Sequence, residues 1–252
     1  MRQIINLNQG WNFTGPDGNR IPVNIPHTWN NIDGQDGGND YKRCTCVYQK
    51  HFSAPSFAKD SQEVWLEFDG VNASAKIILN GETVCSHDGG YSTFRAEVTD
   101  LLSDENELTV ETDNSKNDRV YPQKADFTFY GGIYRDVKLI VLAKNHFAMD
   151  YLGASGVRIT ATPKGADAEV RVESRTTGGE VTVSLFDAGG VCVGSGKGND
   201  TTILLKDAHR WHGVEDPYLY SCRAAVSTGE KTEDELTISF GVREFKVDSK
   251  NS

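Results

Sequence analysis

The stretch Asp126–Val137, DFTFYGGIYRDV, sets a carboxylate, the rings of Phe127, Phe129 and Tyr130, and the Gly131-Gly132 pair directly ahead of an apolar strand pattern. A carboxylate beside aromatic faces suits the hydroxyls and the apolar face of a pyranose ring. Paired glycines let a backbone approach closely. Arg135 falls by alternation among the inward positions Ile133, Val137, Leu139 and Val141. A guanidinium buried there requires a carboxylate or a set of carbonyls as partner. The same residues also fit a half-buried pair that only fixes a loop.

Other chemistries lack their residues. His209 and His212 flank Trp211 without a third ligand at metal spacing, so the segment reads as a loop before the strand PYLYSC. GSGKGND, Gly194–Asp200, lacks the leading glycine of a phosphate loop and the Ser or Thr after Lys197, and reads as a hairpin loop. Neither a G-x-S-x-G elbow nor a G-x-G-x-x-G turn is present. The triplets NFT and NAS match glycosylation acceptors and read as chance matches. With 36 acidic residues, choosing a carboxylate pair for glycosidic cleavage by eye is arbitrary.

Positioning these residues falls to strands. Val64, Leu66 and Phe68 alternate in EVWLEFDGV, and Leu108, Val110 and Thr112 in NELTVET. Asn80-Gly81 in KIILNGETV predicts a two-residue primed hairpin turn. After the irregular KNHFAMDYLGASG, further strands are expected in AEVRVES, EVTVSLFD, TILLKD, YLYSCRAAV and LTISFGVREFKV. In the last, Ile238, Phe240 and Val242 share one parity and Phe245 and Val247 the other, which predicts a bulge near Arg243. Helical periodicity is missing apart from a short turn at VTDLL, so two all-β sandwich domains are expected, residues 1–143 and 144–252.

At 252 residues there is room for two cores. A net charge of −10 without a basic patch disfavours nucleic acid, and no window approaches a membrane span. Cys44, Cys46, Cys85, Cys192 and Cys222, odd in number and without C-x-x-C spacing, read as buried thiols in a reducing compartment. MRQIINLNQGWNF shows no leader, so the bacterial cytoplasm is the expected location unless a leader has been trimmed.

DFTFYGGIYRDV resembles the signature of glycoside hydrolase family 2, the β-galactosidase, β-glucuronidase and β-mannosidase group. GWNF, VNIPHTWN, LEFDGVNASAKIILNGETVCSHDGGYSTF, NELTVETDNS, EDPYLY and FGVREF match further landmarks in the family's order. The resemblance implies a jelly-roll sugar-binding domain followed by an immunoglobulin-like sandwich. It implies that Asp126 contacts the glycone, that Arg135, Gly131 and Gly132 hold its loop, and that Asn30 and Asp33 approach the same sugar pocket. It also implies a carboxyl-terminal (β/α)₈ barrel as partner, carrying both catalytic glutamates, beginning where this sequence stops after FGVREF. The expectation is therefore the amino-terminal part of a retaining β-glycosidase, with no catalytic residue and no turnover of its own. Asn106-Glu107 lies in a strand and is not equated with the barrel's Asn-Glu. The chain itself is expected to hold no metal, while a sodium or magnesium ion near Asp126 in the complete enzyme is implied by analogy. Homo-oligomers are compatible with the family. A free-standing carbohydrate-binding module, or a structural or oligomerisation module, are the alternatives.

Overall fold

Alternation at period two dictates where the apolar side chains go, and the computed structural model, which describes residues 1–33, 41–122, 129–151 and 153–247, follows it closely. Nineteen strands and no helix occur among the described residues. Contacts divide the chain into two units, Gln3–Val141 and Leu142 onward, the latter also taking in Met1 and Arg2.

The strands of the first unit are β1 (Gln3–Asn6), β2 (Trp11–Thr14), β3 (Arg20–Val23), β4 (Thr45–Ser53), β5 (Gln62–Phe68), β6 (Val71–Asn72), β7 (Ser74–Leu79), β8 (Glu82–Asp88), β9 (Phe94–Glu97), β10 (Glu105–Asp113), β11 (Gly132–Ile133) and β12 (Val137–Ala143). They form a sheet in the order β1-β12-β5-β9, a second in the order β3-β2-β4-β10-β7-β8, and the short ladder β11-β6. Both larger sheets feed one core. Leu66, Phe68, Leu139 and Val141 from one sheet join Tyr48, Ile77, Leu79, Leu108 and Val110 from the other, each essentially inaccessible. At about 1.5–3 kcal/mol per fully buried large apolar side chain, this core is the main stabilising term.

The β7–β8 turn is the primed type expected, with φ of 53° at Asn80 and 86° at Gly81. The Asn80 amide is itself tied down. Its Nδ2 donates to Leu101 O at 2.8 Å and Asn106 Oδ1 at 2.9 Å, while its Oδ1 accepts Glu107 N at 2.9 Å. On the other sheet Glu67 accepts from Arg95 Nε at 2.5 Å, and Lys138 Nζ bridges Glu67 (3.3 Å) and Asp69 (2.6 Å). Burial pushes the Glu67 carboxyl up, but Arg95 and Lys138 outweigh it and hold the carboxyl below its ordinary range.

The second unit contains β13 (Val157–Lys164), β14 (Asp167–Ser174), β15 (Glu180–Phe186), β16 (Cys192–Lys197), β17 (Asp200–Leu205), β18 (Tyr220–Thr228) and β19 (Lys231–Phe240), in sheets β13-β14-β17 and β16-β15-β18-β19. Val170, Val172, Val183, Leu185, Cys222, Ala224 and Val226 form its core.

Four expectations need correction. The strand expected from the alternation of Ile133, Arg135, Val137, Leu139 and Val141 is broken at Tyr134–Asp136, so Arg135 belongs to the break and is exposed rather than on the apolar face. The last strand ends at Phe240, and the register shift lies between Val226 and Ser227, not near Arg243. Phe245 and Val247, 85% and 81% exposed, lie beyond the sheet, so their parity carried no strand information. GSGK is strand β16, leaving only Gly198 and Asn199 between it and β17. The cysteines are all free thiols, but Cys192 is exposed and Cys44 and Cys85 only half-buried.

In the second unit Asp234 is fully buried and receives both Arg2 Nε (2.8 Å) and Arg2 Nη2 (2.7 Å), with Phe147 N at 3.0 Å and Glu235 N at 3.0 Å. Replacing one member of such a pair strands the other. Asp234→Ala is expected to cost about 3 kcal/mol. Amide exchange in β18 and β19 should then accelerate by about two orders of magnitude.

Candidate functional site

Asp126 lies outside the described residues; the segment that follows it, Phe129–Ile133, is where the site can be built from side chains upward. Three backbone groups of this segment point at buried asparagines. Asn30, with no exposed surface, donates from Nδ2 to Phe129 O at 2.8 Å and accepts Gly131 N on Oδ1 at 2.7 Å. Thr28 Oγ1 donates to the same Oδ1 at 2.8 Å and thereby orients the amide. Asn72, 5% exposed, donates from Nδ2 to Tyr130 O at 2.9 Å.

A third asparagine secures the neighbouring segment. Asn114 accepts Cys44 N at 2.8 Å and donates to Lys42 O at 3.1 Å, and Trp29 Nε1 donates to that carbonyl at 3.1 Å. Asp33, the other residue expected at the pocket, accepts Lys42 N on Oδ2 at 2.5 Å. Tyr41 and Phe129 meet edge to face with centroids 5.8 Å apart. Tyr41 and Phe129 thus lie against each other, and Tyr130 is 42% exposed.

Both glycines are dictated by space. A Cβ on Gly131 would stand 2.4 Å from Trp29 Cζ2 and 2.8 Å from Asn114 Nδ2. Gly132, at φ +124°, would place one 2.5 Å from the Tyr48 hydroxyl and 2.7 Å from His27 O. Beneath them His27 N donates to Ile133 O at 2.8 Å, and the Tyr48 hydroxyl lies 2.8 Å from His27 Nδ1. Burial pushes the Tyr48 phenol far up and the His27 imidazole down. A protonated phenol can therefore donate to an unprotonated Nδ1.

Arg135 does find carbonyl partners, donating from Nη1 to Tyr91 O at 3.2 Å and Asp69 O at 3.5 Å. Tyr134 donates its hydroxyl to Gly90 O. These two side chains hold the Gly89–Tyr91 turn, which Asn72 also underlies: a Cβ on Gly90 would lie 2.3 Å from Asn72 Oδ1. No local pattern in the sequence marks Asn72, Asn114, Tyr48 or Trp29 for these roles. Asn72 stood in view only as part of the NAS triplet, and its buried, bonded amide explains why it is there. His209 pairs with Asp216 Oδ2 at 2.7 Å and stacks on Tyr218. Among the described residues no group of three or more His, Cys, Asp or Glu could hold a metal ion.

Comparison with known proteins places this architecture. Residues 35–150 match the glycosyl hydrolase 2 galactose-binding domain-like model, and residues 154–243 match that of glycosyl hydrolases family 2. The chain belongs to glycoside hydrolase family 2. It comprises a galactose-binding-like domain followed by a family 2 sandwich domain. A β-glucuronidase of Bacteroides fragilis is 32% identical over 270 residues, covering 98% of this chain and 39% of that relative. A β-galactosidase of Thermoanaerobacter pseudethanolicus is 27% identical, with 97% and 34% covered. The crystal structure of an FMN-binding β-glucuronidase from Facaelibacterium prausnitzii L2-6 superposes with a TM-score of 0.92 at 37% identity, covering 98% of this chain and 40% of that one. The chain therefore spans about two-fifths of the length of the Bacteroides fragilis relative and of the FMN-binding β-glucuronidase.

Two outcomes are expected at this site. Asn30→Ala orphans a buried N–H and a buried C=O, at about 2–4 kcal/mol together; the Gly131 amide should lose its exchange protection, and unchanged protection would refute the clamp. His27 is expected to titrate below 6.5. Between its folded and unfolded pKa the unfolded chain binds more protons, so stability rises with pH through that window and is lost as pH falls below 6.5. An NMR titration midpoint at or above 6.5 would contradict this.

Proposed function

We propose that this chain serves as the accessory part of a retaining β-glycosidase, contributing the glycone-contacting Asp126 and structural support to a (β/α)₈ barrel that carries the chemistry. The observation that carries the reading is the asparagine-clamped segment Phe129–Gly131, fixed within three residues of Asp126 and bearing the exposed Tyr130 ring, in a chain of this family. So much buried hydrogen bonding on one short segment serves to hold its position. Tyr130 offers an apolar face to a pyranose and Asp126 an acceptor for its hydroxyls. The relatives' names point to terminal β-glucuronide or β-galactoside as the substrate class.

In that reaction one carboxylate attacks the anomeric carbon as the other protonates the departing glycosidic oxygen. Water then attacks the glycosyl-enzyme carbon, giving its proton to the second carboxylate and releasing the sugar with its configuration retained. Both carboxylates are the barrel's. This chain's share is orientation of the glycone, which acts through geometry rather than proton transfer.

Assayed alone, the 252-residue chain is expected to show no turnover of p-nitrophenyl β-D-glucuronide or β-D-galactoside. In a protein joining it to its barrel, Asp126→Ala should lower kcat/KM about 100-fold, on the scale of lost positioning contacts. Turnover by the isolated chain, or an unchanged kcat/KM in the variant, would overturn the reading.

A further inference from the structure

A place shaped for a ligand adjoins the candidate site at the β2–β3 end of the first unit, sharing Trp29 and Lys42 with it. A cleft of about 430 Å³ is lined by Phe13, Ile21 and Trp29 and by the polar residues Asp17, Asn19 and Lys42. Its volume falls within the roughly 300–1,000 Å³ range of small-molecule sites. The apolar part is rigid. Phe13 and Trp29 stack at 6.1 Å with 22° between their planes, and the indole is fixed by its bond to Lys42 O. Ile21, although in strand β3, leaves 49% of its surface open.

The polar rim is preformed as well. In the β2–β3 turn Gly18 N donates to Gly15 O at 3.0 Å. Asp17 accepts Asn19 N on Oδ1 at 3.1 Å and Asn19 Nδ2 on Oδ2 at 2.7 Å. Each carboxylate oxygen keeps a further lone pair for a ligand. Asn19 backbone and side-chain donors, foremost, together with the Lys42 ammonium, hold the Asp17 carboxyl below its ordinary range, so the rim carries one negative and one positive charge.

That balance selects the ligand class. A phosphate would meet no surplus of positive charge and an organic cation no surplus of negative charge. A pyranose carries apolar C–H faces that suit the Phe13, Ile21 and Trp29 surface, and hydroxyls that both donate and accept, which suit a carboxylate, an amide and an ammonium together. We propose that this cleft is a saccharide subsite for a neutral pyranose unit. It would hold part of a longer glycan beyond the sugar being cleaved. The choice of sugar as ligand class draws on the proposed function; the placement of the cleft does not.

The test uses the 252-residue chain, ¹⁵N-labelled and titrated with methyl β-D-glucopyranoside and, separately, methyl β-D-glucuronide. Saturable millimolar shifts of the Trp29 indole N–H and the Asn19 side-chain amide are expected with the neutral glycoside. The double variant Asp17→Ala, Lys42→Ala, both side chains being on the rim, should weaken the binding at least tenfold while circular dichroism stays unchanged. Asp126→Ala should leave these shifts in place, so loss of glycone contact in the complete enzyme and loss of this cleft are read separately. Absence of shifts at tens of millimolar glycoside, equal shifts in the double variant, or a marked preference for the glucuronide would each overturn the proposal.

Discussion

A backbone that leaves a sheet underneath other chain must still satisfy its N–H and C=O groups, and no ladder is there to do it. At Phe129–Gly131 asparagine side chains take that role, because one amide offers donors and acceptors in the same plane as a peptide. Asn30 acts as a peptide would, accepting one N–H and donating to one C=O two residues apart. Asn72 and Asn114 extend the same device to Tyr130 and to Lys42–Cys44. The closeness of Gly131 to Trp29, of Gly132 to Tyr48 and of Phe129 to Tyr41 all presuppose these bonds. They act at full strength because the surroundings exclude water.

Much of the fold could be read from the sequence, for a local reason. Leu108, Val110 and Thr112 alternate in sequence and are all buried, and Asn80-Gly81 adopts the positive φ values that only such a pair tolerates without cost. Period and turn chemistry are properties of adjacent residues. Errors arose where a period was counted through an interruption: Arg135 inherited a parity that Tyr134–Asp136 do not transmit, and Phe245 and Val247 were assigned to a strand that stops at Phe240.

The site is less legible because its bonds are not local. Asn30 reaches residues 99 and 101 positions away, and Asn72 one 58 positions away, and nothing about an asparagine in a strand or loop announces so distant a partner. Gly131 and Gly132 were readable as close-approach positions, but which side chains come close was not. Asp126 is marked only by its aromatic and glycine neighbours in sequence, and it lies outside the described residues.

The β7–β8 turn bears on how the protein ages. An asparagine followed by glycine ordinarily loses ammonia when the glycine nitrogen closes on the side-chain carbonyl carbon, since glycine offers no steric obstacle. At Asn80 the amide is held by Leu101, Asn106 and Glu107 through three hydrogen bonds, and the ring closure would have to break all of them and rotate the side chain. Chemical durability at this position is thus conferred by the folded state. It would be lost wherever the β7–β8 hairpin opens, so the rate of deamidation at Asn80 acts as a slow clock of local unfolding.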